Sequence, residues 1–442
     1  MRRALLQCSP MVQPVIVPRA GHTISRQHID QDALRVLYRL HQSDFAAYLV
    51  GGSVRDLLLG RRPKDFDIGT SAHPHQVKRL FRNCWIIGRR FRLAHIRYGQ
   101  KTIEVATFRR LVSAAELAAP EGPLPAEDPA EQGDATAAKD LLLHRDNTFG
   151  TPEEDAFRRD FTVNALFYDI GTFSIIDYTG GLEDLKSRII RCIGDPVERF
   201  QEDPVRMLRA VAMAARLDFT IDPPIDAAIA SHRGEIARSA PARLIEELYK
   251  LLRTGAAERA FRMLAERRLL EPIARELQKG SGEDLWRSLA RLDAYRARFE
   301  ATPDTLTNPV LLGSMLTPIG YASGPRVAVP KDGDPKKGPA PALGMLPLAR
   351  RDVDRLVQIN GLQRRLVDMT LSPRGRRALM HRGSFQESLT WLEIHGGAPE
   401  ALEHWRGFIE AAGAIEPPAE GSGPEPRRRR RRRRRRPARP AT

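Results

Sequence analysis

Val50-Gly51-Gly52-Ser53-Val54-Arg55-Asp56, followed by Lys64-Asp65-Phe66-Asp67, is the stretch on which the reading of this chain turns. The run 45–50 is short and apolar and suits a buried strand. Gly51-Gly52 breaks it, and 53–59 reads as a helix with Ser53 as N-cap, Asp56 as its acidic partner and Gly60 closing the C-terminus. A strand that ends in Gly-Gly at a helix start gathers backbone N–H groups and the positive end of a helix dipole at one point. That is a phosphate cradle, and Arg55 in the first turn adds charge. The next strand is expected over 65–68. Asp65 and Asp67, two apart on a strand, point to one face, and paired carboxylates call for a cation between them. A lone Gly-Gly is usually a turn and a lone Asp-x-Asp usually a solvated loop. In this order and spacing they point together to Mg²⁺ bridging a triphosphate and aligning an in-line phosphoryl transfer.

Around this centre, helix and strand signals alternate. Helices are expected over 29–44 and 75–81, and strands over 85–88, 93–98, 101–108 and 173–178, with a mixed charged and apolar block over 153–168. Residues 111–140 are rich in Ala, Pro, Glu and Asp without periodicity and read as an acidic loop. After Ile193 the strand signals end. Helices follow over 203–217, 223–232, 241–253, 255–268, 284–298, 346–358 and about 384–411, interrupted by a Pro/Gly/Lys-rich loop over 317–345. The class is α+β: a disordered leader (1–24), a mixed head (25–190), a helical neck (191–270), a helical body (271–414) and a disordered Arg-rich tail (415–442).

A chain of 442 residues exceeds a single core. The net charge of +16 is unevenly spread, because Arg427 to Arg436 with Arg439 supply 11 of it and leave +5 (16 − 11) elsewhere. Such a tail attracts polyanions, RNA first among them, with strong salt dependence. Three cysteines without metal-ligand spacing fit a reducing cytoplasm. No apolar run reaches 18 residues, so no membrane helix is expected. Gln7, Ser9, Pro10, Gln13 and Pro14 interrupt what would otherwise begin like a signal peptide.

Five blocks carry a family resemblance: Leu49 to Asp56, Asp65-Phe66-Asp67, Glu104 to Arg109, Arg158-Arg159-Asp160-Phe161-Thr162-Val163-Asn164-Ala165, and Glu202-Asp203-Pro204-Val205-Arg206-Met207-Leu208-Arg209. In this order, over about 30–270, the sequence resembles nucleotidyltransferases of the DNA polymerase β superfamily. It is most similar to the bacterial group of poly(A) polymerases and CCA-adding tRNA nucleotidyltransferases. The resemblance implies that Asp65 and Asp67 hold two Mg²⁺ ions, that Gly51, Gly52 and Arg55 contact the triphosphate, and that Asp160 is a further active-site carboxylate. Glu104, projecting from a strand, competes for that last role, its plainer reading being an ion pair with Arg109 or another Arg. The plainer reading of Asp160 is a salt bridge to Arg158 or Arg159.

Base selection is expected from the helix starting near Asp203. Asp203 and Arg206 stand three apart with Arg209 on a neighbouring part of the face, and an acceptor beside a donor can read adenine or cytosine. Asp203 before Pro204 also suits a helix cap. Three features favour the poly(A) polymerase side of the group, with ATP as substrate and RNA 3′ ends as acceptors. These are the stretch 83–95, the helix before the Gly-Gly strand and the terminal Arg run. The segment 241–248 looks like the group's RNA-binding neck. CCA addition is the alternative within the group, and a non-catalytic RNA-binding protein the alternative outside it; RNA-decay machinery would be a partner of the first. Oligomeric state is left open. His95 and the four tryptophans read as structural, and Met207, Leu208 and Val211 as core.

Overall fold

The structure, a computed structural model, describes residues 13–88, 92–110, 148–321 and 341–413. The acidic loop, most of the 317–345 loop and the Arg tail lie outside these residues.

The head is built on an eight-stranded mixed sheet. Its strands are β1 (Val15–Val17), β2 (Ala47–Val50), β3 (Ile68–Thr70), β4 (Cys84–Ile87), β5 (Leu93–Tyr98), β6 (Lys101–Thr107), β7 (Leu166–Asp169) and β8 (Ser174–Asp177), ordered β1-β8-β7-β2-β3-β6-β5-β4. All neighbours are antiparallel except β3 and β6. Residues 13–24 depart from the leader expected there: Val15–Val17 pairs with β8, and Ile24 is fully buried. An apolar Val-Ile-Val run beside an unfilled sheet edge gains a ladder of hydrogen bonds that sequence composition alone does not announce.

Helices α1 (Gln31–His41) and α3 (Pro74–Leu80) cover one face of the sheet. In α1 the residues Ala33, Leu34, Val36, Leu37 and Leu40 fall on one side and are buried, each large one contributing about 1.5–3 kcal/mol. Asp30 caps this helix through the N–H groups of Asp32 and Ala33. Between them, α2 (Gly52–Leu58) follows β2 directly. The second face is different. Val50, Phe108, Phe167 and Ile193 form a small separate core over its middle, while the side chains of β4, β5 and β6 on that face reach solvent.

The remaining head elements are α4 (Pro152–Phe157) and α5 (Gly181–Ser187). Beyond them come α6 (Pro196–Glu202), α7 (Val205–Leu217), α8 (Pro223–His232), α9 (Pro241–Arg253), α10 (Ala257–Glu266), α11 (Arg275–Lys279) and α12 (Glu283–Arg296). The chain continues with α13 (Asn308–Leu316), α14 (Arg350–Val367), α15 (Pro373–Met380), α16 (Phe385–Trp391) and α17 (Pro399–Gly413). This part is not purely helical. Two-residue strands β9 (Ile189–Ile190) and β10 (Thr220–Ile221) pair in parallel and stitch the head's exit to the end of α7. One continuous core runs from Ile24 to Ile394, so packing does not break at residue 270; a smaller cluster around Leu366, Phe385 and Trp405 ends the body. Among the described residues no helix is long and apolar enough to cross a membrane.

Candidate active site

Gly51 caps α2 with φ +70°, a left-handed conformation that favours glycine. A Cβ there would stand 2.9 Å from Nη1 of Arg159. Ser53 is not the cap expected of it: its hydroxyl donates back to the Val50 carbonyl, because the helix already begins at Gly52. The strand after the helix likewise starts later than expected, at Ile68. Asp65 and Asp67 lie on the extended lead-in, held to β2 by the Val50 N–H donating to the Asp67 carbonyl.

The register brings further residues to Asp67. Ile68 pairs in parallel with Val105, so Asp67 falls beside Glu104. Glu104 in turn pairs with His95, and His95 with Trp85. Partners on adjacent strands share a face, which places Asp67, Glu104, His95 and Trp85 in one row across β3, β6, β5 and β4. Asp67 reaches solvent, yet protein hems its carboxyl on the other sides. This burial first, then the charges of Glu104 and Asp65, push its pKa up to about 6, with Arg159 pulling weakly the other way. Carboxylates crowded to that degree suit a bound cation. Among the described residues no three His, Cys, Asp or Glu converge into a complete metal cage. Two carboxylates that leave the other ligand positions to water and phosphate are the donor set Mg²⁺ usually takes.

Other expected site residues are placed differently. Arg55 is 4% exposed, its guanidinium bound to Asp56 and, at 2.5 Å, to the Asn164 side chain, so it braces the site from below rather than facing the cleft. Asp160 is buried and ion-paired to Arg209 at 2.7 Å; its other oxygen accepts from the Phe161 N–H and the Asn164 amide. Glu104 stands beside Asp67 across β3 and β6 and raises its pKa, whereas Asp160 is paired with Arg209. Glu104 sits 3.6 Å from His95 rather than on an arginine, and His95 is on the open face rather than in the core. Arg158 and Arg159 both pair with Asp155, not with Asp160. Arg159 is therefore a cation that reasoning from sequence missed. It lies over Phe167, beside Gly51, and within electrostatic reach of Asp67. The signal was the double Arg itself, read only as a partner for its neighbour.

At the start of α7, Asp203 accepts from the Val205 N–H and from Arg243 at 2.8 Å. Arg206 donates to Glu202 and to the Arg199 carbonyl. The two stand near each other but in separate ion pairs. Further along the same helix, Arg216 reaches Asp56 at 2.6 Å. Arg209 and Arg216, seven residues apart and so on one side of α7, pin the neck helix to the head through Asp160 and Asp56. Two of the cysteines, Cys84 and Cys192, are buried free thiols, and burial pushes Cys192 up to about 11.

An acidic pair beside a Gly-Gly helix start, on a mixed sheet followed by a helical body, defines a nucleotidyltransferase fold. Residues 47–191 match the family described as the poly A polymerase head domain, and residues 218–280 that described as the probable RNA and SrmB-binding site of polymerase A. In these two segments the chain is similar to the tRNA nucleotidyltransferase and poly(A) polymerase family. It is 47% identical over 258 residues to poly(A) polymerase I of Salmonella typhi, covering 58% of this chain and 53% of that one. Its identity to poly(A) polymerase I of Haemophilus influenzae is 42% over 259 residues, 58% and 54% of the two chains. A CCA-adding enzyme of Lactobacillus helveticus is 35% identical over 241 residues, 54% of each. The matches thus span about half the length of these curated relatives. The fold resembles that of the Bacillus stearothermophilus CCA-adding enzyme in complex with CTP, with TM-score 0.54, 24% identity, and coverage of 86% of this chain and 82% of that one.

Proposed function

We propose that the protein adds AMP from ATP to RNA 3′ ends without a template. The observation that supports this reading is Asp67, tied to β2 just before Gly51 by the Val50 N–H and crowded by Glu104 and Asp65, with Arg159 beside Gly51. Asp65 and Asp67 would hold Mg²⁺, which when bound lowers the pKa of the attacking 3′-OH and neutralises the leaving phosphates. The RNA hydroxyl attacks the α-phosphorus of ATP in line, and pyrophosphate leaves. Gly51, lacking a side chain, lets the phosphates approach the backbone, and Arg159 offers them positive charge. Arg55, bonded to Asp56 and Asn164, keeps the turn rigid, so that positioning and preorganised charge supply the rate. Asp203 and Arg206 read the base, exchanging Arg243 and Glu202 for the nucleotide's edge. The helical segment 218–280 and the Arg tail hold RNA, and two buried free thiols suit a cytoplasmic setting.

The poly(A) polymerase relatives at 42–47% identity support adenylation. CCA addition is the second reading, supported by relatives such as the Lactobacillus helveticus enzyme. Primer extension with each nucleotide separately plus Mg²⁺, on an unstructured RNA and on a tRNA lacking its 3′ end, decides between them. Long ladders with ATP on the unstructured RNA are expected. Addition of two C and one A confined to the tRNA would overturn this choice, and no extension of either RNA would leave an RNA-binding protein.

A further inference from the structure

Three of the four tryptophans are core: Trp286, Trp391 and Trp405 are 8%, 6% and 1% exposed. Trp85 is 53% exposed, and Ile87, two residues on and so on the same face, is 50% exposed. Both stand on β4, the edge strand of the sheet. Large apolar groups on an open edge invite unwanted pairing, and folded proteins usually avoid them unless something binds there.

The position of Trp85 says what kind of ligand. Through His95 and Glu104 it ends the row that begins at Asp67. Three strand spacings, roughly 14 Å, separate it from that carboxylate. Arg97, exposed, follows His95 on the same face of β5, with Asn83 across from it bonded to its backbone. An indole face beside a guanidinium, in the row of β-strand partners that leads to the acidic pair, matches a nucleobase and its phosphate. The opposite edge also exposes apolar side chains, Val15 and Ile16, but among the described residues its strand β1 carries no aromatic ring, and the small core around Phe167 lies between it and Asp67.

We infer that the outer face of β4 and β5 is a stacking platform for single-stranded RNA: Trp85 stacks a base upstream of the 3′ end and Arg97 meets the backbone phosphate. This rests on the polymerase reading for the direction of the strand. Stacking on an aromatic is tolerant of base identity, as template-independent extension requires.

The test is a titration of the full chain with an oligoadenylate RNA without ATP, followed by tryptophan fluorescence, together with steady-state extension kinetics. RNA should quench the fluorescence, and Trp85→Phe should abolish that response while keeping most of the affinity. Trp85→Ala should weaken RNA binding about 5- to 150-fold, the equivalent of one lost base–aromatic stack. It should raise KM for RNA and leave KM for ATP unchanged. Unaltered RNA affinity in Trp85→Ala overturns the inference, as does a rise confined to KM for ATP. Fluorescence indifferent to RNA overturns it too and assigns the face to another occupant, such as a protein or a second copy. A wild-type chain that binds and quenches but extends no RNA would remove the polymerase reading and leave the platform standing.

Discussion

At the scale of single residues, Asp67 concentrates the chemistry. Burial first, then the charges of Glu104 and Asp65, raise its pKa to about 6, and in the proposed function a divalent cation bound there would offset that crowding. Asp67→Asn removes half the acidic pair without changing its shape. Extension should fall by at least about 10²-fold, since the lost contacts are worth several kcal/mol in the transition state, while the urea midpoint stays the same or rises. A variant that kept full activity would refute the metal assignment. Gly51 is constrained from two directions, by its positive φ and by Arg159. Gly51→Ala should therefore cost about 1–3 kcal/mol of stability and move Arg159. A urea midpoint equal to wild type would show that the turn relaxes freely.

At the scale of elements, α7 holds head and neck in one arrangement. Its two arginines grip acidic side chains that are themselves buried, Asp160 and Asp56, and Arg55 and Asn164 link those grips into one network. Arg216→Ala leaves Asp56 short of a charged partner. A loss of about 1–3 kcal/mol is expected, and combination with Arg209→Ala should be non-additive if the two grips are coupled through Arg55. A double-mutant cycle in urea checks both points. The sequence made α7 legible through its apolar spacing at Met207, Leu208 and Val211, all fully buried, and α1 and α9 in the same way. It left α13 unseen: that helix is buried on every side, so its sequence has no polar face to show a period. The acidic pair was legible because its two residues are close in sequence. The nearness of Glu104 to Asp67 was not, because strand register across β3 and β6 is a tertiary fact. Arg159 was hidden for the same reason.

At the scale of the whole molecule, charge is spread unevenly. The terminal arginines contribute 11 of the net +16. Removing residues 427–442 should weaken RNA binding and flatten its dependence on salt, with metal dependence unchanged. Equal slopes of affinity against salt would exclude the tail from RNA capture. In the body, burial and then the charge of Arg291 lower His395 to about 4, and its ring sits against Ser314 and Trp391. A histidine kept neutral in the folded state contributes stability above its unfolded pKa, near 6.5, and loses it as pH falls toward 4. Acidification over that window should cost on the order of 2 kcal/mol, and His395→Gln should flatten the curve. An identical pH profile in the variant would locate acid sensitivity elsewhere.

The turn between β5 and β6 has consequences for how this chain can lengthen or shorten. Tyr98 faces Lys101 across Gly99-Gln100, with Gly99 at φ +60°. That tight closure sets the pairing of His95 with Glu104. Insertion or deletion of one residue inside either strand reverses which side chains point outward beyond that point. Glu104 would be exchanged for Ile103 or Val105, and an apolar side chain would arrive beside Asp67. Length changes in such strands are tolerable only in pairs. Deletion scanning across 93–107 should therefore give alternating outcomes for activity, odd steps silent and even steps partly active, a pattern unlike the smooth decline expected where only distance matters.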